Sequence, residues 1–403
     1  MRTFNYEAKD PATKKHIKAT VQADSEASAA KLLNKQGYIP IKITAQGEGG
    51  VLSFFKNRIT TKDKVVFSRQ LSTLIGAGLP LTQSLQTVID QTENKHLVAI
   101  TQEVLTSVEA GNTLADSFSK HPEAFDKVFI SLVAAGESSG TLDKALVRLA
   151  AQQEKDAEMM SKIRGALVYP AIVLAVIFLV LGFMLFTVVP QIEKLYVDLK
   201  QTLPWVTQIM VSTANFFLYF WWLVIILLGI GGYFLVQYLK TEEGIRMKDS
   251  LKLNMPIFGM LFKKLYMARF ARTGQTLLAT GVPLLDALKI CADGVNNVHV
   301  AKSINHAATK VKGGKGLAES LKPEDYILPL VPQMLSIGEK SGKVDEMMGK
   351  VASVYENELD DSIKTISTSI EPILMVVLAL VAGTMVAAIL LPIYNLVNTT
   401  GAV

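Results

Sequence analysis

Residues 132–150 read LVAAGESSGTLDKALVRLA and residues 334–352 read MLSIGEKSGKVDEMMGKVA, one pattern written twice. Gly136/Gly338, Glu137/Glu339, Ser139/Ser341, Gly140/Gly342, Asp143/Asp345 and Ala150/Ala352 coincide, and each copy stands shortly before a long apolar run. After the shared Gly-Glu-x-Ser-Gly, apolar residues fall at Leu142, Ala145, Leu146 and Leu149. In the second copy they fall at Val344, Met347, Met348, Val351 and Tyr355, again the stripe of an amphipathic helix. The repeat extends upstream. FSRQLSTLIGAGLPLTQSL (67–85) aligns without gaps on FARTGQTLLATGVPLLDAL (270–288), pairing Arg69 with Arg272, Gly78 with Gly281 and Pro80 with Pro283. AGNTLADSF (110–118) aligns on GGKGLAESL (313–321), and Pro170 and Pro190 match Pro372 and Pro392. The repeating unit is therefore a helical module plus one apolar segment.

Composition agrees. Of 403 residues 50% are hydrophobic, mean hydropathy is +0.31, and part of the chain must sit in lipid. Between Arg164 and Glu193 no residue is charged, a stretch longer than the roughly 20 residues that cross a bilayer as a helix. A second run centres on 216–236, with Tyr219, Trp221 and Trp222 as an interfacial belt, and a third spans 372–394. Three spans are expected. Lys155, Lys162 and Arg164 before the first, and Lys240, Arg246, Lys248 and Lys252 after the second, put those flanks in the cytoplasm and the C-terminal tail outside. The polar opening MRTFNYEAKDPATKK has no apolar core of a cleavable signal peptide, so a cytoplasmic N-terminus is expected. Two modules on one side need a return crossing, which the unpaired middle span supplies. The repeats are thus parallel, unlike the inverted repeats of many transporters.

Gly-Leu-Pro-Leu and Gly-Val-Pro-Leu read as a helix stop and restart, Gly at the C-cap and Pro in the next first turn. Breaks near 93–96, 111–113 and 120–124 divide each module into about six helices. Residues 1–45 differ: FNYEAKD, HIKATVQA and IPIKIT alternate like strands around a helix-like SEASAAKLLNKQGY. The predicted fold is mainly α, with three transmembrane helices, two homologous cytoplasmic six-helix bundles and a small N-terminal α+β domain. The expected boundaries are 1–45 for that domain, a linker at 46–59, bundles at 60–165 and 239–369, spans at 166–190, 215–238 and 370–394, a short outer loop at 191–214 and a tail at 395–403.

Chemistry is hard to find. GGKG at 313–316 lacks Walker A spacing and aligns with a plain helix break. Five scattered histidines form no ligand motif, and Cys291 stands alone, so no metal, cofactor or catalytic set is expected. A net charge of +5 does not point to nucleic acid. The residues that stand out are Glu137, Ser139, Gly140 and Asp143 with their counterparts Glu339, Ser341, Gly342 and Asp345. Locally, Thr141 or Asp143 caps the following helix and Gly140 makes the turn. That does not explain a Glu at a helix C-terminus twice, where the dipole disfavours an anion. It implies a contact elsewhere, with a partner or with Arg69 and Arg272 inside the bundle.

The doubled F-x-R-x(9)-G-x-P-L and G-E-x-S-G-x-[LV]-D blocks, the prolines at the spans and the odd span count closely resemble the type II secretion system F family. The likeness covers residues 1–45 as its N-terminal domain and 60–190 and 262–394 as its two F-domains. Gly274 for Leu71 and Lys340 for Ser138 are small departures within the doubled blocks. The resemblance implies a non-enzymatic inner-membrane platform of type II secretion or type IV pilus machines. Its implied partners are a hexameric ATPase, pilin-like subunits, other inner-membrane assembly proteins and further copies of itself, with the four acidic residues in or near the ATPase docking surface. The alternative is a transporter or channel component, against which stand spans free of ionisable residues. An enzyme with its site in the modules finds no supporting constellation.

Overall fold

Thr60 starts the first helix with a reciprocal cap: its hydroxyl accepts from the Asp63 amide at 3.2 Å while the Asp63 carboxylate accepts from the Thr60 amide at 2.8 Å. The helix, α1 (Thr61–Gly76), ends on Gly78 at φ +83, with Gly78 N–H on the Ile75 carbonyl and Leu79 N–H on that of Leu74. This is a Schellman stop. The computed structural model describes residues 2–9, 16–23, 32, 39–45, 58–198, 205–256 and 258–400. The first module continues as α2 (Leu81–Gln91), α3 (Lys95–Glu109), α4 (Leu114–Ser119), α5 (Lys127–Ser139) and α6 (Leu142–Phe183). After a π-helical turn, Met184–Val188, come α7 (Val189–Asp198), α8 (Trp205–Tyr238) and α9 (Glu242–Asn254). The second module repeats the first as α10 (Phe258–Ala279), α11 (Leu284–Gly294), α12 (Val298–Lys312), α13 (Leu317–Leu321), α14 (Leu330–Ser341) and α15 (Val344–Thr400). The six helices per module and the duplication agree with the sequence reading, to which the structure adds α9.

The turns obey the repeat. Among the described residues the glycines at positive φ are Gly78, Gly111 and Gly140 in one module and Gly281, Gly314 and Gly342 in the other. Each sits at a matched helix stop, in a conformation L-residues reach only at a cost. One expectation shifts by a residue: Pro80 and Pro283 stand at the N-cap, not in the first turn. Their carbonyls accept the first bonds of the new helices, from Ser84 and Ala287, and their missing N–H groups are not needed there.

One continuous apolar core runs through both modules. In the first it is knotted by Phe67, Phe118, Phe125 and Phe129, with ring centroids 4.3–6.2 Å apart. At the corresponding places the second buries Phe270 with Leu321, Ile327 and Val331. The Gly274/Leu71 difference has a packing reason. A Cβ on Gly274 would lie 2.3 Å from the Met348 sulfur, whereas the first module fills the matching space with Leu71 and Leu146, both fully buried. Polar contacts also tie the modules together: Lys162 to Asp360 at 2.7 Å, Lys127 to Asp293 at 2.9 Å, and Gln152 to the buried Thr273 hydroxyl at 2.8 Å.

Among the described residues three helices are long and apolar enough to cross a membrane: Leu142–Asp198, Val211–Tyr238 and Val344–Ala387. Their lipid-length stretches expose large apolar side chains such as Phe178, Leu179, Leu228 and Leu380, as a bilayer solvent requires. Pro170 and Pro372 lie inside unbroken helices rather than at helix ends. Pro190 stands one residue past the π turn, whose wider coil accommodates the lost hydrogen bond and lets the helix continue. The segment expected as an outer loop is helical on either side of residues 199–204, where Val211 and Ala214 pack on Val189 and Leu185.

At the N-terminus β1 (Arg2–Lys9) pairs antiparallel with both β2 (His16–Ala23) and β3 (Ile39–Ala45), giving the order β2-β1-β3. The strand segments read from alternation are present. The helix expected between them lies outside the described residues, apart from Leu32.

Candidate functional site

The doubled turn at the α5–α6 and α14–α15 junctions is where sequence singles out residues, and each position has a physical task. Gly136 and Gly338 let the two helices touch: an added Cβ would lie 2.6 Å from the Ala145 Cβ in one copy and 2.9 Å from the Val344 Cα in the other. Ser139 donates to the Ala135 carbonyl at 2.7 Å and Ser341 to the Ile337 carbonyl at 2.9 Å, closing the last helical turn. Gly140 and Gly342 take φ +68 and +71, so the chain can reverse into α6 and α15.

The two glutamates find their contact in an unexpected place. Glu137 accepts from the amides of Leu114 at 2.5 Å and Ala115 at 3.0 Å, and Glu339 accepts from those of Leu317 and Ala318. The carboxylate that opposes its own helix dipole is offset by the N-terminal amides of a neighbouring short helix, which otherwise lack partners. In the first copy Thr113 completes that cap by accepting from the Asp116 amide at 3.0 Å. The second copy has Gly316 there, without a side chain, and leaves the work to Glu339.

Two expectations are corrected. Arg69 and Arg272 are not the partners of these glutamates. Arg69 forms a two-pronged pair with Glu154, and Arg272 the matching pair with Glu356, with Nε–Oε1 distances of 2.6 and 2.9 Å. The planar guanidinium fork suits a carboxylate on the antiparallel helix better than one at a distant turn. Thr141 makes no side-chain cap on α6; its hydroxyl meets that of Ser139 at 2.7 Å, and its backbone angles keep it from the usual cap geometry. Glu154 and Glu356 escaped the sequence reading. The available signal was a Glu at the same distance past the turn glycine in both copies.

Asp143 and Asp345 lie in the first turns of α6 and α15, half-buried, and among the described residues their carboxylates accept no hydrogen bond. Gly78, Pro80, Gly281 and Pro283 shape the α1–α2 and α10–α11 turns, away from the glutamates. Among the described residues no cluster of His, Cys, Asp and Glu could hold a metal. Cys291 is fully buried, and burial pushes its thiol far above the ordinary range, away from nucleophilic chemistry. What the geometry does provide is mechanical: each turn passes directly into one helix that runs without interruption from module to span.

Comparison with known proteins gives the same division. The family described as type II secretion system (T2SS), protein F matches residues 67–190 and again 270–392, and its N-terminal domain matches 1–44. The type IV pilus assembly protein PilC of Thermus thermophilus is 35% identical over 405 residues, covering 99% of both chains. That of Pseudomonas aeruginosa is 36% identical over 372 residues, covering 92% of this chain and 98% of the relative. Type II secretion system protein F of Vibrio cholerae is 31% identical over 405 residues, covering 99% of both. With three helices long and apolar enough to cross a membrane, two matched repeats and full-length relatives, the chain belongs to the type II secretion system protein F family.

Proposed function

We propose that the protein is a non-enzymatic platform of a bacterial inner membrane, in a machine that builds a pilus or a secretion filament. Both modules and the N-terminus face the cytoplasm and the C-terminal tail the periplasm. A hexameric ATPase docks on the modules, and pilin-like subunits are drawn from the bilayer beside the spans. The observation that carries this reading is the direct continuity of α6 and α15 from module to membrane. A helix hydrogen-bonded along its whole length passes a displacement at the turn into the bilayer with little loss. The names of the relatives support pilus assembly or secretion as the setting.

In this reading Glu137 and Glu339 fix the shape of the two turns, and Asp143 and Asp345 offer carboxylates to a basic surface of the ATPase. Photo-crosslinkers at the exposed Lys144 and Glu346 should capture the ATPase, and Asp143→Asn with Asp345→Asn should weaken that capture. Cross-linkers within 172–188 and 373–390 should capture pilin-like subunits or a second copy of the chain. The decisive experiment interrupts the continuity. A Gly-Pro insertion after Ser161 or after Lys364 should abolish filament assembly while leaving the protein in the membrane and the module melting unchanged. Normal assembly by both insertion variants would sink the coupling.

A further inference from the structure

The two modules do not close on each other everywhere. Between them opens a cleft of about 1780 Å3, larger than the roughly 300–1,000 Å3 of ordinary small-molecule sites. Its level in the molecule follows from the helix directions. Arg69 faces Glu154, so α1 runs antiparallel to α6, and Arg58 and Lys62 at its start return to the height of Arg164. Arg164 is the last charge before the first span, and Lys248 lies in α9, which begins just after the second candidate span ends at Tyr238. All four residues line the cleft and are exposed, so its mouth is at the membrane surface on the side of the modules.

The charges of the cleft divide into engaged and free. Asp126 accepts from the Phe129 amide and Asp249 from the Val298 amide at 3.1 Å, both capping helices. Asp293 is paired with Lys127, Asp156 with Arg269 at 3.5 Å, and Lys252 with Asp249 at 3.2 Å. Lys64 donates to the Glu123 carbonyl at 3.1 Å. Among the described residues the side chains of Arg58, Lys62, Arg164 and Lys248 make no hydrogen bond or ion pair, although all four line the cleft. Lys62 helps to lower the pKa of its neighbour Asp63, and the exposed Glu123 carboxylate, also on the cleft, faces His121 at 3.7 Å. Apolar side chains, among them Met160, Ile163 and Phe262, line the same cleft. Unpaired cations at a membrane-level mouth, in a cleft that also presents apolar side chains, match an amphiphile with a negatively charged head.

We infer that this cleft is a binding site for an anionic phospholipid of the adjoining leaflet, whose phosphate headgroup is held by Arg58, Lys62, Arg164 and Lys248. A leaflet supplies headgroups at this height directly, which favours lipid over a soluble phosphate. Occupancy would bridge the two modules, since Arg58, Lys62 and Arg164 belong to the first and Lys248 to the helix that leads into the second. The site is independent of how the turns engage a partner.

Native mass spectrometry of the full-length, delipidated protein titrated with phosphatidylglycerol or phosphatidylcholine tests this. Phosphatidylglycerol should be retained on the order of tenfold more tightly. The variant Arg58→Gln/Lys62→Gln/Arg164→Gln/Lys248→Gln should lose that preference, and Lys144→Gln/Lys302→Gln/Lys322→Gln/Lys350→Gln, which removes as much charge outside the cleft, should keep it. Thermal melting of both variants reports folding, and the wild-type preference between the two lipids is informative without either. Equal retention of both lipids by the wild type, or equal loss in the two variants, overturns the site. Displacement of phosphatidylglycerol by millimolar glycerol 3-phosphate would make the occupant a soluble phosphate and overturn the lipid assignment.

Discussion

Glu137 and Glu339 each serve two helices, one that they terminate and one that they begin. Removing a carboxylate that caps backbone amides costs about 0.5–2 kcal/mol in other helices. The copies should differ, because Thr113 shares the cap in the first and Gly316 shares nothing in the second. Glu339→Ala is therefore expected to lower stability by about 2 kcal/mol and Glu137→Ala by about 1 kcal/mol, read from thermal or denaturant melts in detergent. Negligible losses would show that the short helices α4 and α13 do not depend on these caps, and equal losses that Thr113 does not share the first. The sequence flagged both glutamates correctly as anomalous. It could not name their partners, because a backbone amide carries no side-chain signature and lies more than 20 residues away.

At the scale of elements, the matched pairs Arg69–Glu154 and Arg272–Glu356 brace the first helix of each module against the helix that enters the membrane. Their side chains are 41% and 40% exposed in the first module but 22% and 15% in the second. Solvent screens the first pair, and breaking the second leaves a poorly hydrated carboxylate. Arg272→Ala should cost about 2–4 kcal/mol, whereas Arg69→Ala should cost roughly 1 kcal/mol or less. Double-mutant cycles with Glu154→Ala and Glu356→Ala check both values; a stronger coupling in the first module would contradict the burial argument. The helices themselves were legible from period and from glycine and proline punctuation. Their pairing was visible only as a shared Arg and a shared Glu, too far apart in sequence to be joined without the fold.

At the scale of the molecule, the modules meet across charged and polar contacts that should make their union sensitive to pH. Asp156, which lines the cleft, is held above the ordinary 3.8 mainly by burial, with Arg269 opposing. A raised carboxyl contributes stability below its unfolded pKa and loses it as pH rises through the folded value. Relative to Asp156→Asn, the wild type should gain stability on going from pH 7 to pH 4. Glu158 has the opposite sign: hydrogen bonds from Lys155 and Lys162 pull it from 4.5 to about 2. Its contribution is present above pH 4.5 and fades toward pH 2. Being exposed, that contribution should also shrink in high salt. Melting midpoints of wild type, Asp156→Asn and Glu158→Gln across pH 3–7 at two salt concentrations decide both; parallel curves would leave the interface without the expected titrations.

The sequence by itself determined the duplication, the helical class, the three apolar segments, the strands of the N-terminal sheet and the glycines on which the chain turns. These are local or periodic properties, written in spacing, hydropathy and backbone freedom, and they persist whatever the chain later packs against. Only the tertiary structure decided which groups the carboxylates meet, that Gly274 yields its space to Met348, that the prolines at the spans do not interrupt their helices, and that the two modules share a core yet leave a cleft lined by charges between them. Those outcomes depend on contacts between residues far apart in the chain, where charge, volume and hydrogen-bonding capacity are matched in space and leave no mark at a fixed interval in the sequence.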